Sequence, residues 1–266
     1  MRDLVHKYFS LWYAFYRNSL ALDMEFKANF LGGLFVDIVY YGSKFFFFSV
    51  IYSYVDTLGV FTREDVMIFL IIAFIADTVY MFFFSGNIMN LNRLMIRGEL
   101  DYYLLKPINS QFMVSFRKVK SYAFISIFIL IALLFSQLQG YSNHIPIFNF
   151  IIFLLSFFMG IILWYSIEFI ISTSCFWYKN FSVAGWLSHE FFKFSLRPDS
   201  IYTGLMRKVL FSLVPMTLIA SVPTRHLLYG PNMGYIIWQL FISMTFFYIA
   251  RIMWKKGLKL YESASS

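Results

Sequence analysis

The sequence predicts an all-α, polytopic membrane protein: six transmembrane helices, an N-terminal interfacial amphipathic helix and a short outer re-entrant segment before the last helix. Three observations predict it. Of 266 residues, 60% are hydrophobic and 14% charged, whereas a soluble domain carries about 45–50% apolar residues. Five apolar stretches reach the roughly 20 residues needed to cross a ~30 Å hydrocarbon core, and a sixth is shorter. The cations are segregated: of the 22 Lys and Arg, all but Lys44, Arg63 and Arg225 fall in segments assignable to one side, which the positive-inside tendency makes the cytoplasm. The net charge of +8 then follows from topology and anionic lipid, and nucleic acid is not needed as a partner.

Residues 1–27 place Val5, Tyr8, Phe9, Trp12, Phe15, Tyr16 and Leu20 at helical spacing, with Arg2, Lys7 and Arg17 elsewhere. This fits a helix lying on the inner leaflet. Charges at Arg17, Asp23, Glu25 and Lys27 interrupt any signal-peptide core, so the segment is expected to be retained. Span one is residues 28–55, and an acidic outer loop follows it. Span two is 66–89, and 90–118 is a cytoplasmic loop. Span three is 119–138, followed by an outer turn marked by Gly140 and Pro146. Span four, 147–176, exceeds the required length and is expected to tilt. Residues 177–208 read as a second cytoplasmic connection carrying amphipathic helix, broken at Arg197-Pro198, because Lys179, Lys193, Arg197, Arg207 and Lys208 sit among Trp and Phe. Span five, 209–222, is short, and Pro223 would end it. Thr224 to Asn232 then reads as the re-entrant turn, and span six is 233–254. Both termini fall in the cytoplasm, and the absence of repeats or linkers makes residues 1–266 one domain.

The densest mixed charge lies in the first cytoplasmic loop: Arg97, Gly98, Glu99, Leu100, Asp101, Leu105, Lys106 and Pro107 stand between two apolar spans. Gly98 permits a break, Glu99 and Asp101 favour a helix start, and Pro107 stops it, so a short helix across the span ends is expected. The run from Ile96 to Asn109 resembles the R-x-G-x-L-D-x-x-L-L-[RK]-P signature of ABC-2-type permeases. Trp254, Gly257, Leu258, Lys259, Tyr261, Ser263 and Ala264 resemble that family's W-x-x-G-L-[KR]-x-Y-x-[SG]-A ending. Val214-Pro215 and Val222-Pro223 fall where the family has a proline-bearing fifth span.

The resemblance implies an exporter's permease subunit in a prokaryotic cell membrane, with the 97–107 helix coupling to two copies of a separate ATPase. It also implies a second permease copy or paralogue as partner. The chain has no G-x-x-x-x-G-K-[ST] loop, so ATP and Mg would be bound by the partner and no cofactor by this chain.

Asp37, Lys44 and Asp77 lie inside spans, where an ionised side chain costs about 2.5–3.5 kcal/mol. They must face protein or water, either lining a polar route or pairing between helices, with Lys44 bent back to Asp37 or Asp77 as its partner. Enzymatic constellations are poor. His6, His144, His189 and His226 are scattered without metal-ligand spacing, no G-x-S-x-G occurs, and Cys175 stands alone. The rival readings are an intramembrane lipid-processing enzyme and a passive channel or structural membrane subunit.

Overall fold

The computed structural model describes residues 2–178, 181 and 183–261. Lys179 and the Glu262, Ser263 and Ala264 of the closing motif lie outside the described residues. The architecture is helical throughout, apart from a two-strand hairpin of β1 (Thr57–Leu58) and β2 (Phe61–Thr62). That hairpin marks one end of the bundle. The loop after span two marks the other.

Helix α1 (Arg2–Glu25) lies across the loop end, and its polar residues serve its neighbours. Ser19 accepts from the Val119 amide at 3.0 Å, and Asp23 accepts from the Ser121 amide at 3.1 Å, so α1 supplies the N-terminal cap of α8 (Ser121–Gln139). The chain breaks at Phe26 and crosses as α2 (Lys27–Ile51) to the hairpin. Thr62 and Asp65 then form a capping box that starts α3 (Arg63–Tyr80). A π turn, Met81–Ser85, and α4 (Gly86–Ile88) continue α3 to the loop end. There Asn87 pairs with both backbone groups of Lys118 at 2.7 Å, fixing the loop's return point.

The loop carries α5 (Leu91–Ile96), α6 (Leu100–Leu104) and α7 (Ser110–Phe116). Helices α8 and α9 (Ile147–Thr173) cross in turn, and the last crossing is α13 (Met233–Leu260). Among the described residues five helical stretches are thus long and apolar enough to span: Lys27–Ile51, Arg63–Ile96, Ser121–Gln139, Ile147–Phe176 and Met233–Leu260. The fold class is the expected one, an all-α polytopic membrane protein.

Between α9 and α13 the structure corrects the sequence reading. Residues 177–208 are not a connection confined to the loop end. Helix α10 (Ala184–Ser195) runs beside α9, and Ser200 then donates to the Leu58 carbonyl at 2.8 Å, inside the hairpin at the opposite end. The charges of α10 are handled locally, since Lys193 pairs with Glu190 one turn earlier.

Residues 209–222 are likewise not one span. They hold the end of α11 (Gly204–Ser212), a break at 213–216 and the start of α12 (Thr217–Tyr229), with a bend of 94° between the two helices. By length the bent pair could be one broken span, but its ends forbid it. Ser200 meets Leu58 just before the pair, and Tyr229 donates to the Val60 carbonyl at 3.1 Å where it finishes, so both ends sit at the hairpin. The pair is the re-entrant segment, longer than the expected Thr224–Asn232. Val214-Pro215 forms its tip, and Pro223 lies inside α12. Gln239, six residues into α13 and so about 9 Å deep by helical rise, donates to the Leu218 carbonyl beside that tip at 2.8 Å.

The positive-inside count misled at 197–208, because this stretch runs to the hairpin end and its Arg207 is, like Arg225 that the count left out, not a free cation. Both pair with the fully buried Asp199, and Arg225 is bidentate at 2.9 and 3.0 Å. Arg197, Arg207 and Lys208 therefore leave the loop-end tally.

Candidate functional site

Two places gather the residues singled out in the sequence. At the loop end, Gly98 adopts φ of +69°, the left-handed conformation that L side chains avoid. The turn it makes launches α6, which is only five residues long and stops before Pro107. Leu100 and Tyr103 are buried and anchor α6 to the bundle, while Leu105 is 83% exposed and points away. Exposed Tyr102 carries Lys106 at 4.5 Å and Arg117 at 4.8 Å over its ring, and these cations hold its phenol below the ordinary tyrosine range. Arg97 and Glu99 approach to 3.8 Å in the open, an arrangement that contributes little.

This loop is fastened to the last helix. The Tyr261 hydroxyl lies against Asp101, and burial first, then that contact, pushes its pKa up to about 12. The Trp254 indole donates to Ser110 Oγ at 3.2 Å and packs on Phe169 and Phe176. Gly257 lies against the Phe176 ring so closely that a Cβ there would meet it at 2.3 Å. The two signature stretches, far apart in sequence, are therefore one structural unit.

The second place is a cavity of about 230 Å³ between α2, α3, α8, α9 and α10. Asp37 and Asp77 both line it. Asp37 accepts from Ser126 Oγ at 2.7 Å, and Asp77 accepts from the Tyr41 hydroxyl at 3.1 Å. Lys44 does not join them, contrary to expectation. It sits over the Tyr40 ring at 5.4 Å, and no ion pair to it is formed among the described residues. The cation whose charge bears on Asp37 and Asp77 is Lys120, at the start of α8.

Glu168 adds a third carboxylate. Its Oε1 accepts from the Trp164 indole at 3.2 Å, and Tyr80, Trp164 and Phe192 form a continuous ring stack with centroids 4.2 and 3.8 Å apart. Glu168 Oε2, the Tyr80 hydroxyl and Ser188 Oγ crowd together, yet none completes a hydrogen bond of full geometry. The π turn places Met81 and Ser85 in the cavity wall, a common use of such bulges.

The family model described as ABC-2 family transporter protein matches residues 38–265. The chain belongs to the ABC-2 transporter family. It is a transmembrane permease component of an ABC transporter, a transport subunit. No curated protein and no solved structure matches it.

The match takes in the loop, the cavity apart from Val36 and Asp37, and the closing stretch, but leaves out α1. Sequence reasoning singled out Asp37 and Asp77 but missed Lys120, Tyr80, His189 and Glu168 as their companions. The available signal was Glu168 itself, an acid within the apolar run of α9, where an unpartnered carboxylate is costly.

Proposed function

We propose that this permease exports an amphiphilic or hydrophobic compound, driven by ATP hydrolysed in a separate ATPase that docks on the Arg97–Pro107 stretch. The observation carrying the reading is the form of that stretch. Leu105 and the cation-clamped Tyr102 stand out at the loop end, while Leu100 and Tyr103 are fixed in the bundle and Ser110, after the same loop's Pro107, accepts from the Trp254 indole of α13. A push on the exposed side would be passed to the end of α13 and to α3, rather than absorbed by a slack loop. The cations of the loop put this end in the cytoplasm by the positive-inside tendency, with both termini.

The working assembly pairs this chain with a second copy or a paralogue and with two ATPase chains, in a prokaryotic cell membrane. The chain's lack of a phosphate-binding loop requires ATP and Mg to be bound by the partner. Charge reversal of both acids, Glu99→Lys with Asp101→Lys, is expected to abolish co-purification of the ATPase while membrane insertion is retained. Unchanged association and transport would refute the docking role.

A further inference from the structure

The cavity beside Asp77 holds more acid than the protein itself compensates. Three carboxylates face it, Asp37, Asp77 and Glu168, against one ammonium group, Lys120, with His189 at its border. Asp37 and Glu168 are 7% and 3% exposed, so water does little to offset them. A carboxylate at such depth needs a counter-charge or a hydrogen-bond donor. A second feature points the same way: the Tyr80 hydroxyl and Glu168 Oε2 border the cavity, are buried, and lack a partner of full geometry. Aromatic faces surround these groups, with Tyr40 and Tyr41 on one side and the Tyr80, Trp164 and Phe192 stack on the other. Such rings favour a cation over an anion. The rim is apolar and open sideways, where Val36 and Met89 are 63% and 45% exposed.

We infer that this cavity is the cargo site and that it takes a compact lipophilic amine in its cationic form. The ammonium group would lie among Asp77, Glu168 and the Tyr80 hydroxyl, and the apolar body would lie against the ring stack. Val36 and Met89 form the threshold through which the amine arrives from the side of the bundle. Lys120 is the resident counter-charge, competing with the ligand for the same carboxylates. The inference rests on the permease reading only in calling the ligand cargo. Binding itself needs no ATPase.

The test uses the purified full-length permease in lipid nanodiscs and 2-(1-naphthyl)ethylamine, whose own fluorescence reports binding by anisotropy. The comparator is 2-(1-naphthyl)ethanol, which has the same ring system and no charge. The amine is expected to bind at least tenfold more tightly than the alcohol. Asp77→Asn with Glu168→Gln should weaken the amine at least tenfold and leave the alcohol unchanged. Lys120→Met should tighten the amine at least threefold, a change in the direction that misfolding does not produce. Should the double variant not purify as a monodisperse protein, Glu168→Gln alone and Lys120→Met carry the comparison. Equal binding of amine and alcohol, amine affinity within twofold of wild type in the acid variants, or no tightening in Lys120→Met would each overturn the inference. Because no ATPase is present, that failure would leave the docking role standing, and loss of docking in the charge-reversal experiment would leave this binding intact.

Discussion

Replacing Asp199 with alanine tests the corrected half of the fold. Asp199 is fully buried at the hairpin end, and its carboxylate holds Arg225 through two hydrogen bonds and Arg207 through a longer contact of 3.4 Å. The Arg225 side chain is only 15% exposed and lies 5.1 Å from the centre of the Phe61 ring. Asp199→Ala therefore strands a guanidinium group in a poorly hydrated place, a change that typically costs about 3–5 kcal/mol. Arg207 is 45% exposed, so Arg207→Ala should cost no more than about 1 kcal/mol.

Replacing both members of the tight pair, Asp199→Leu with Arg225→Met, removes charge and counter-charge together. It should return stability to within about 1–2 kcal/mol of wild type, as apolar replacements of buried pairs often do. Equilibrium unfolding in mixed micelles with increasing SDS measures all four proteins. A cost below about 1 kcal/mol for Asp199→Ala, or a double variant as unstable as the single one, would contradict the burial of this pair and the return of α12 to the hairpin.

Three glycines give further tests in the same assay. A Cβ at Gly160 would stand 2.8 Å from the Ile219 carbonyl oxygen and 3.1 Å from its Cα. This oxygen belongs to the carbonyl that loses its helical partner to Pro223, and backbone cannot swing aside, so Gly160→Ala should lose about 1–3 kcal/mol. Gly42→Ala has nothing within 4 Å of the new methyl group and should be neutral or gain up to about 1 kcal/mol from helix propensity. Equal effects at Gly160 and Gly42 would refute the close approach of α12 to α9. Gly98→Ala forces a side chain into φ of +69° and should cost about 1–2 kcal/mol. No measurable loss would show that the turn before α6 is not held in that conformation.

The crossings that could be read from sequence are those built on a long apolar run, because burial in lipid demands it. The loop was readable for a different reason: Gly98 and Pro107 punctuate the backbone whatever surrounds them. Helix α10 was readable as a helix but not in its path: the charges of Glu190 and Lys193 made it look like a surface connection, whereas they pair with each other within the helix, which hydropathy does not register. The re-entrant pair imitated a span because its tip is as apolar as one, and only contacts with the hairpin reveal that it turns back. The cavity was half readable. Intramembrane acids are conspicuous by cost, so Asp37 and Asp77 stood out, whereas the choice of Lys120 over Lys44 depends on where α8 begins relative to α2. Helical spacing within one segment carries no information about that.

The most direct test of the central claim, that an external motor grips this permease at its loop end, is photo-crosslinking from Leu105, which is 83% exposed on α6's outer side. A benzophenone amino acid at Leu105 and another at His144, in the turn at the opposite end, are irradiated in membranes during ATP-driven transport. The adducts are then identified by mass spectrometry. A chain bearing a phosphate-binding loop is expected to be captured at Leu105 and not at His144. Capture of that chain at His144, or no capture at Leu105 while ATP-driven transport continues, would contradict the claim.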